Sequence, residues 1–155
     1  MAFRSLAAAA PVALLLSVSG CGGQSNSPSD QVDHAVRTFL SATGHEQWRA
    51  ACDVLSRAQQ AGLVADAKRG LLTQGASDCT SALADAASGS LLPAAARRQA
   101  ADRELSSLRF SATHVSGVRA TATFSVVVGS SNQRKSATVE LVKQDGRWKI
   151  ASGVA

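Results

Sequence analysis

Tyrosine is absent from this chain, methionine occurs only at the start, and four phenylalanines and two tryptophans supply all the aromatic rings. A core of large aromatics is therefore excluded, as is any site that needs a tyrosine hydroxyl as donor. Charge is also sparse, at 17% of residues against 45% hydrophobic, a balance that suits a folded globule and not a disordered chain. There is no GxxxxGK(S/T) loop, no GxGxxG turn, no GxSxG elbow and no histidine pair at zinc-helix spacing. The usual signatures of nucleotide binding, serine hydrolysis and zinc proteolysis are thus missing. Alanine, leucine and valine must build the core, and 155 residues leave room for one domain.

The one long apolar run lies at the front. Met1-Ala2-Phe3-Arg4 gives a positive start, residues 6–16 are apolar, and Val18-Ser19-Gly20 is a small-residue approach to cleavage. This reads as a signal peptide over residues 1–20, too short for a spanning helix, which needs ~20 apolar residues. The segment Leu16-Ser17-Val18-Ser19-Gly20-Cys21 resembles the lipobox of bacterial lipoproteins. That resemblance implies a diacylglyceryl group on the Cys21 thiol, cleavage just before it, and a chain held on the extracytoplasmic face of the cell membrane. Each buried methylene contributes ~0.8 kcal/mol, so two long acyl chains on one sulfur hold firmly. Residues 21–29, rich in Gly and Ser, read as a lipidated cysteine and flexible tether.

Three cysteines are present. With Cys21 assigned to lipid, Cys52 and Cys79 have one possible pairing in a chain exported to an oxidising compartment. Free or intermolecular thiols are the other reading open at this stage. A metal site would need further ligands, and no histidine stands near either cysteine at zinc-type spacing. The net charge is +5, or +4 once Arg4 leaves with the leader. The basic residues are scattered along the chain, without the basic stripe and interleaved aromatics of a nucleic-acid binder. A solvated surface with mild attraction to anionic envelope polymers or lipids is expected.

From residue 30 to 155 the pattern describes one α+β domain. Ser29 or Asp30 can cap a helix whose stripe is Val32, Ala35, Val36, Phe39 and Leu40, ended by Gly44. A second helical segment carries Trp48, Ala51, Cys52 and Leu55, and residues 56–72 continue as one or two pieces. Ser77-Asp78-Cys79-Thr80 opens another helix to about Ala87. Pro93 marks a fresh helix or an irregular crossing. From Leu105 the period becomes two: Leu108, Phe110 and Ala112, then a strand over residues 118–128, then Ala137, Val139 and Leu141. Asp145-Gly146 signals a tight hairpin, and Trp148 and Ile150 form the last inward pair. N-terminal helices should pack on one face of a curved antiparallel sheet of about four strands.

The helix VDHAVRTFLSA, the Cys52 and Cys79 pair, the strand VRATATFSVVV and the closing VELVKQDGRWKI together resemble small actinobacterial envelope lipoproteins of the cystatin-like or nuclear-transport-factor-2-like fold. The resemblance implies a cone between helices and sheet, which some relatives use for catalysis. His114, in phase with Leu108, Phe110 and Ala112, is the candidate inward acid–base group, and Phe110, Phe124 and Trp48 are the other candidate cavity residues. Glu140, between Val139 and Leu141, should point away. No catalytic set, metal or cofactor is implied. The preferred reading is a non-enzymatic binding or interaction module, partnered by the membrane through its anchor and by an unidentified envelope protein or lipid. The alternatives are a small-ligand carrier or cavity enzyme of the same fold, and a domain that regulates another envelope protein.

Overall fold

The computed structural model describes residues 27–69, 76–129 and 133–153. Cys21, the leader and most of the tether lie outside the described residues. Five helices come first: α1 (Pro28–Gly44), α2 (Trp48–Val54), α3 (Arg57–Lys68), α4 (Cys79–Ser88) and α5 (Ala94–Ser107). Four strands follow: β1 (Arg109–Ser116), β2 (Arg119–Val128), β3 (Gln133–Gln144) and β4 (Arg147–Ser152). They form one antiparallel sheet in the order β1-β2-β3-β4, with the helices over one face. The fold class is α+β, as expected. Among the described residues no helix is long and apolar enough to cross a membrane.

Helix α1 starts earlier than the sequence reading placed it. Ser27, not Ser29 or Asp30, is the N-cap; its hydroxyl accepts from the Asp30 N–H, and the Asp30 carboxylate accepts from the Ser27 N–H. Pro28 occupies the first turn, where its missing N–H costs nothing. Residues 28 and 29, which the sequence reading placed in the tether, therefore belong to the helix. Of the predicted stripe, Val32, Ala35, Val36 and Phe39 are buried and Leu40 is half-buried; Ala42, outside that stripe, is buried with them. Opposite them lie Ala120, Ala122, Phe124, Val139, Leu141, Trp148 and Ile150, with Leu55 and Leu108 closing the ends. Leu55, Leu108, Leu141 and Ile150 are each at most 2% exposed. Burial of such a side chain contributes ~1.5–3 kcal/mol.

Residues 58–101, whose helix count the sequence left open, contain most of α3, all of α4 and the first part of α5. Cys52 and Cys79 form a disulfide that joins α2 to the first residue of α4, Cα atoms 6.1 Å apart. Helix α5 buries no residue fully. It is held to the end of α1 by the close approach of Gly44 to Ala101, by Arg97 donating to Glu46, and by His45 Nε2 and Asp102 3.0 Å apart. It runs to Ser107, two residues past the expected change of period.

The sheet shows two further departures. Val118 sits in the β1–β2 turn beside Gly117 and is 61% exposed, rather than opening an inward strand face. In β1, Phe110 pairs with Phe124 but Ala112 pairs with Thr123, so Ser111 is an extra residue in a bulge. The bulge inverts the phase of the rest of the strand. Thr113 and Val115 turn toward α1, and His114 turns out. Thr113 donates to Asp33 of α1 at 2.7 Å. The Asp145-Gly146 hairpin forms as expected, both residues at positive φ (51° and 77°).

Candidate binding groove

The space between helices and sheet is filled by the side chains named above, where a cavity reading would need an opening. Phe110 and Phe124 do meet, ring centroids 6.0 Å apart, but as inner-face packing with the Arg37 guanidinium 5.1 Å from the Phe110 ring. Trp48 is half-buried at the start of α2. His114 is exposed on the opposite face of the sheet, across from Thr121, which pairs in turn with Glu140. The expected inward placement of His114 is therefore corrected, and the bulge at Ser111 is the cause. Glu140 points outward as expected and accepts from the Ser152 hydroxyl at 3.0 Å.

A concave site exists elsewhere. The tight Asp145-Gly146 turn brings the first residues of β4 against the start of α1 and the end of α2. Between them lies an open groove of about 450 Å³, within the size range of small-ligand sites. Ala35, Ala50, Val54 and Trp148 give it an apolar lining. Gln31, His34, Thr38, Asp53, Arg147 and Lys149 add polar groups. A second, smaller trough continues along α1 and α2, sharing His34, Thr38 and Ala50 and adding Arg37, Ser41 and Gln47.

Two local features define the groove chemically. The Lys149 ammonium donates to the Asp53 carbonyl, one of the last of α2, where a cation complements the free carbonyls and the dipole of a helix end. Trp148 is 6% exposed, yet its indole N–H has no acceptor among the described residues. Such an orphaned buried donor costs ~1–3 kcal/mol. The groove thus joins an apolar wall, to which part of Trp148 contributes, and two cations, Arg147 and Lys149, against one carboxylate, Asp53. It suits a ligand with an apolar body and an accepting or anionic group. It lacks the linked groups of a catalytic pair: no hydrogen bond joins His34 to Asp53, and the Thr38 hydroxyl is spent on the His34 carbonyl at 2.8 Å. Asp78 has its acidity raised by the Ser81 N–H and then the Ser81 hydroxyl, but this carboxylate caps α4 and its role is local.

The sequence reading took Trp148 as sheet-end packing and gave Gln31, Thr38, Asp53, Arg147 and Lys149 no role. The available signal was the aromatic flanked by two cations directly after an Asp-Gly turn. His34 and Thr38, four apart beside the apolar stripe of α1, were the other half of it.

No family model and no curated protein matches the sequence. Two solved structures are similar. One is a SEC-C motif containing protein from Rhodopseudomonas palustris, with 16% identity and a TM-score of 0.45 over 78% of this chain and 75% of that one. The other is a Campylobacter jejuni protein described as an NTF2-like transpeptidase, with 12% identity and a TM-score of 0.48 over 77% of this chain and 96% of that one. These likenesses are distant and say nothing of what the groove holds.

Proposed function

We propose that this chain is an exported lipoprotein, held on the extracytoplasmic face of the membrane by lipid on Cys21, whose domain is a non-enzymatic binding module. It would belong with the small actinobacterial-type lipoproteins of cystatin-like or nuclear-transport-factor-2-like fold. The lipobox pattern up to Cys21 supports the address, and the Cys52–Cys79 disulfide is consistent with an oxidising compartment. The observation that carries the binding role is the groove itself, an apolar wall including Trp148 beside two cations, Arg147 and Lys149. The partner is a segment of an envelope protein or a lipid-like molecule. Carriage of a small ligand in the same groove is the second reading, favoured by its volume. The filled inner face argues against a cavity enzyme.

The chain has only two tryptophans and no tyrosine, so Trp48→Phe leaves Trp148 as the sole strong fluorophore. A photo-reactive residue at Thr38, introduced in the producing cell, should capture a discrete envelope partner or lipid. Trp148→Phe, which keeps an aromatic ring but trims the indole from the wall, should weaken that capture roughly tenfold, the worth of about two methylenes of apolar contact. Capture that is unchanged by Trp148→Phe, with Trp148 emission also unchanged by the captured partner, would rule the groove out as the binding site.

A further inference from the structure

We propose that the outer face of the sheet docks the domain onto an anionic phospholipid bilayer. The setting rests on the lipid-anchor reading, whereas the face itself is defined by the fold alone. Basic residues that look scattered along the sequence are gathered by the fold into one layer. Residues 109–153 hold seven Lys and Arg against two Asp and Glu, whereas residues 27–108 hold eight against nine. The excess positive charge of the mature chain thus sits on the sheet.

The strand register then decides which way those charges point. Val115, Ala120, Leu141 and Ile150 form an inward row, so the adjoining residues of each strand face out. Arg109, Arg119 and Arg134 occupy outward positions, whereas Arg147 and Lys149 on the edge strand β4 turn to the groove beside α1 and α2; Glu140 is the one carboxylate among the described outward positions of the strands. None of these three arginines is in an ion pair among the described residues, where the four ion pairs present involve His45, Arg57, Arg69 and Arg97; Arg109 donates to the Leu108 carbonyl, and Arg134 to the Ser107 carbonyl and the Ser125 hydroxyl. Between the cations lie Thr121, Thr123, Ser125, Ser136 and Thr138, short hydroxyl side chains, with the half-buried Val127 and Val142 beside Arg134 and Arg119. Val118, exposed in the turn beside Arg119, adds one apolar contact at the rim.

A hydroxyl-rich surface with arginines outside any ion pair matches phosphate headgroups, and a lipid on Cys21 would put an anionic bilayer within reach. The seven residues from Cys21 to Ser27 span at most ~25 Å, enough to let a two-layer domain about 20 Å thick turn its sheet to the bilayer. Near an anionic leaflet each Lys or Arg contributes roughly a fivefold gain in partition, and the gain is screened by salt.

The test uses the mature lipidated chain. With lipid on Cys21 and Cys52 bonded to Cys79, a cysteine at Thr121→Cys is the only free thiol and takes a single fluorophore on the outer face; Ala86→Cys reports from α4 on the helical side. Each labelled protein is bound to vesicles of phosphatidylcholine alone or with about one-third phosphatidylglycerol, which supplies the anionic surface, carrying nitroxide headgroups as quencher. The Thr121 label should be quenched on the anionic vesicles only. The quenching should vanish near 1 M salt, where the Debye length is about 3 Å, and the Ala86 label should stay bright throughout. Arg119→Gln with Arg134→Gln should lower the docked-to-free ratio about 25-fold. Equal quenching on neutral vesicles, or quenching of the Ala86 label instead, overturns the proposal. So does release of the face by a soluble polyanion at equal charge, which would assign it to a wall polymer. Failure of the anchor reading looks different: the chain would not float with neutral vesicles, and Cys21 would take a second label.

Discussion

Breaking the Cys52–Cys79 bond is the perturbation whose cost the structure sets most directly. The bond closes a loop of 27 residues between α2 and α4. On the chain-entropy model a loop of this length contributes ~3.5 kcal/mol by restricting the unfolded chain. The described domain with its inner gaps spans about 130 residues, so the unfolding entropy is about 270 cal/mol/K near 60 °C. A loss of ~3.5 kcal/mol then lowers Tm by about 13 °C. Thermal unfolding followed by circular dichroism, on oxidised protein and on protein reduced under denaturing conditions and refolded in reductant, measures this directly, since both samples keep the same sulfur atoms in the core. Alkylation under denaturing conditions should recover both thiols only in the reduced sample. A fall of less than about 4 °C would refute the reasoning, because the α2–α4 contact would then be held by its apolar packing and the crosslink would be incidental.

Further outcomes follow from single contacts. Gly44→Ala drives a Cβ into the Ala101 Cβ, so it should destabilise by ~1–3 kcal/mol in urea unfolding, and Ala101→Gly in the same chain should recover much of the loss. Asp33→Ala and Thr113→Val each remove one end of the 2.7 Å bond between α1 and β1, and a double-mutant cycle should give a coupling of about 1 kcal/mol. The Asp78 carboxyl is held below its ordinary value by the Ser81 N–H and hydroxyl, so the charged form stabilises the fold above the unfolded-state value. That contribution is lost as pH falls through the lower folded-state value, so the stability gap between wild type and Asp78→Ala should be full at neutral pH and should close below about pH 4.

The α1 stripe, the α2 segment and the Asp145-Gly146 turn were legible because each is a local pattern that tertiary packing reinforces. Val32, Val36 and Phe39 repeat at helical spacing and are buried, and Asp-Gly supplies two positive φ angles where a hairpin requires them. The N-cap was misplaced because Ser27, Ser29 and Asp30 are all good caps, although Pro28 as a first-turn residue favours Ser27. The phase of β1 was misread because one extra residue at Ser111 inverts everything after it, and a polar-apolar alternation through Ala112 carries no mark of a bulge. His114 followed that error to the wrong face. The groove left only local traces in the sequence, the Trp148 flanked by two cations and the His34 and Thr38 pair, since it is assembled from residues 31–38, 50–54 and 146–149, which only the fold brings together. The basic layer lay between these cases: the surplus of cations after residue 108 can be counted, but their shared direction depends on the strand register.

An exported, lipid-held binding domain stands or falls on the chemistry at Cys21. The direct measurement is intact and tryptic mass analysis of protein extracted with detergent from the membranes of the producing cell. A chain beginning at Cys21, heavier than its sequence by a diacylglyceryl group and recovered in the membrane fraction, is the predicted result. A chain whose Cys21 is an unmodified thiol, recovered without detergent, would contradict it.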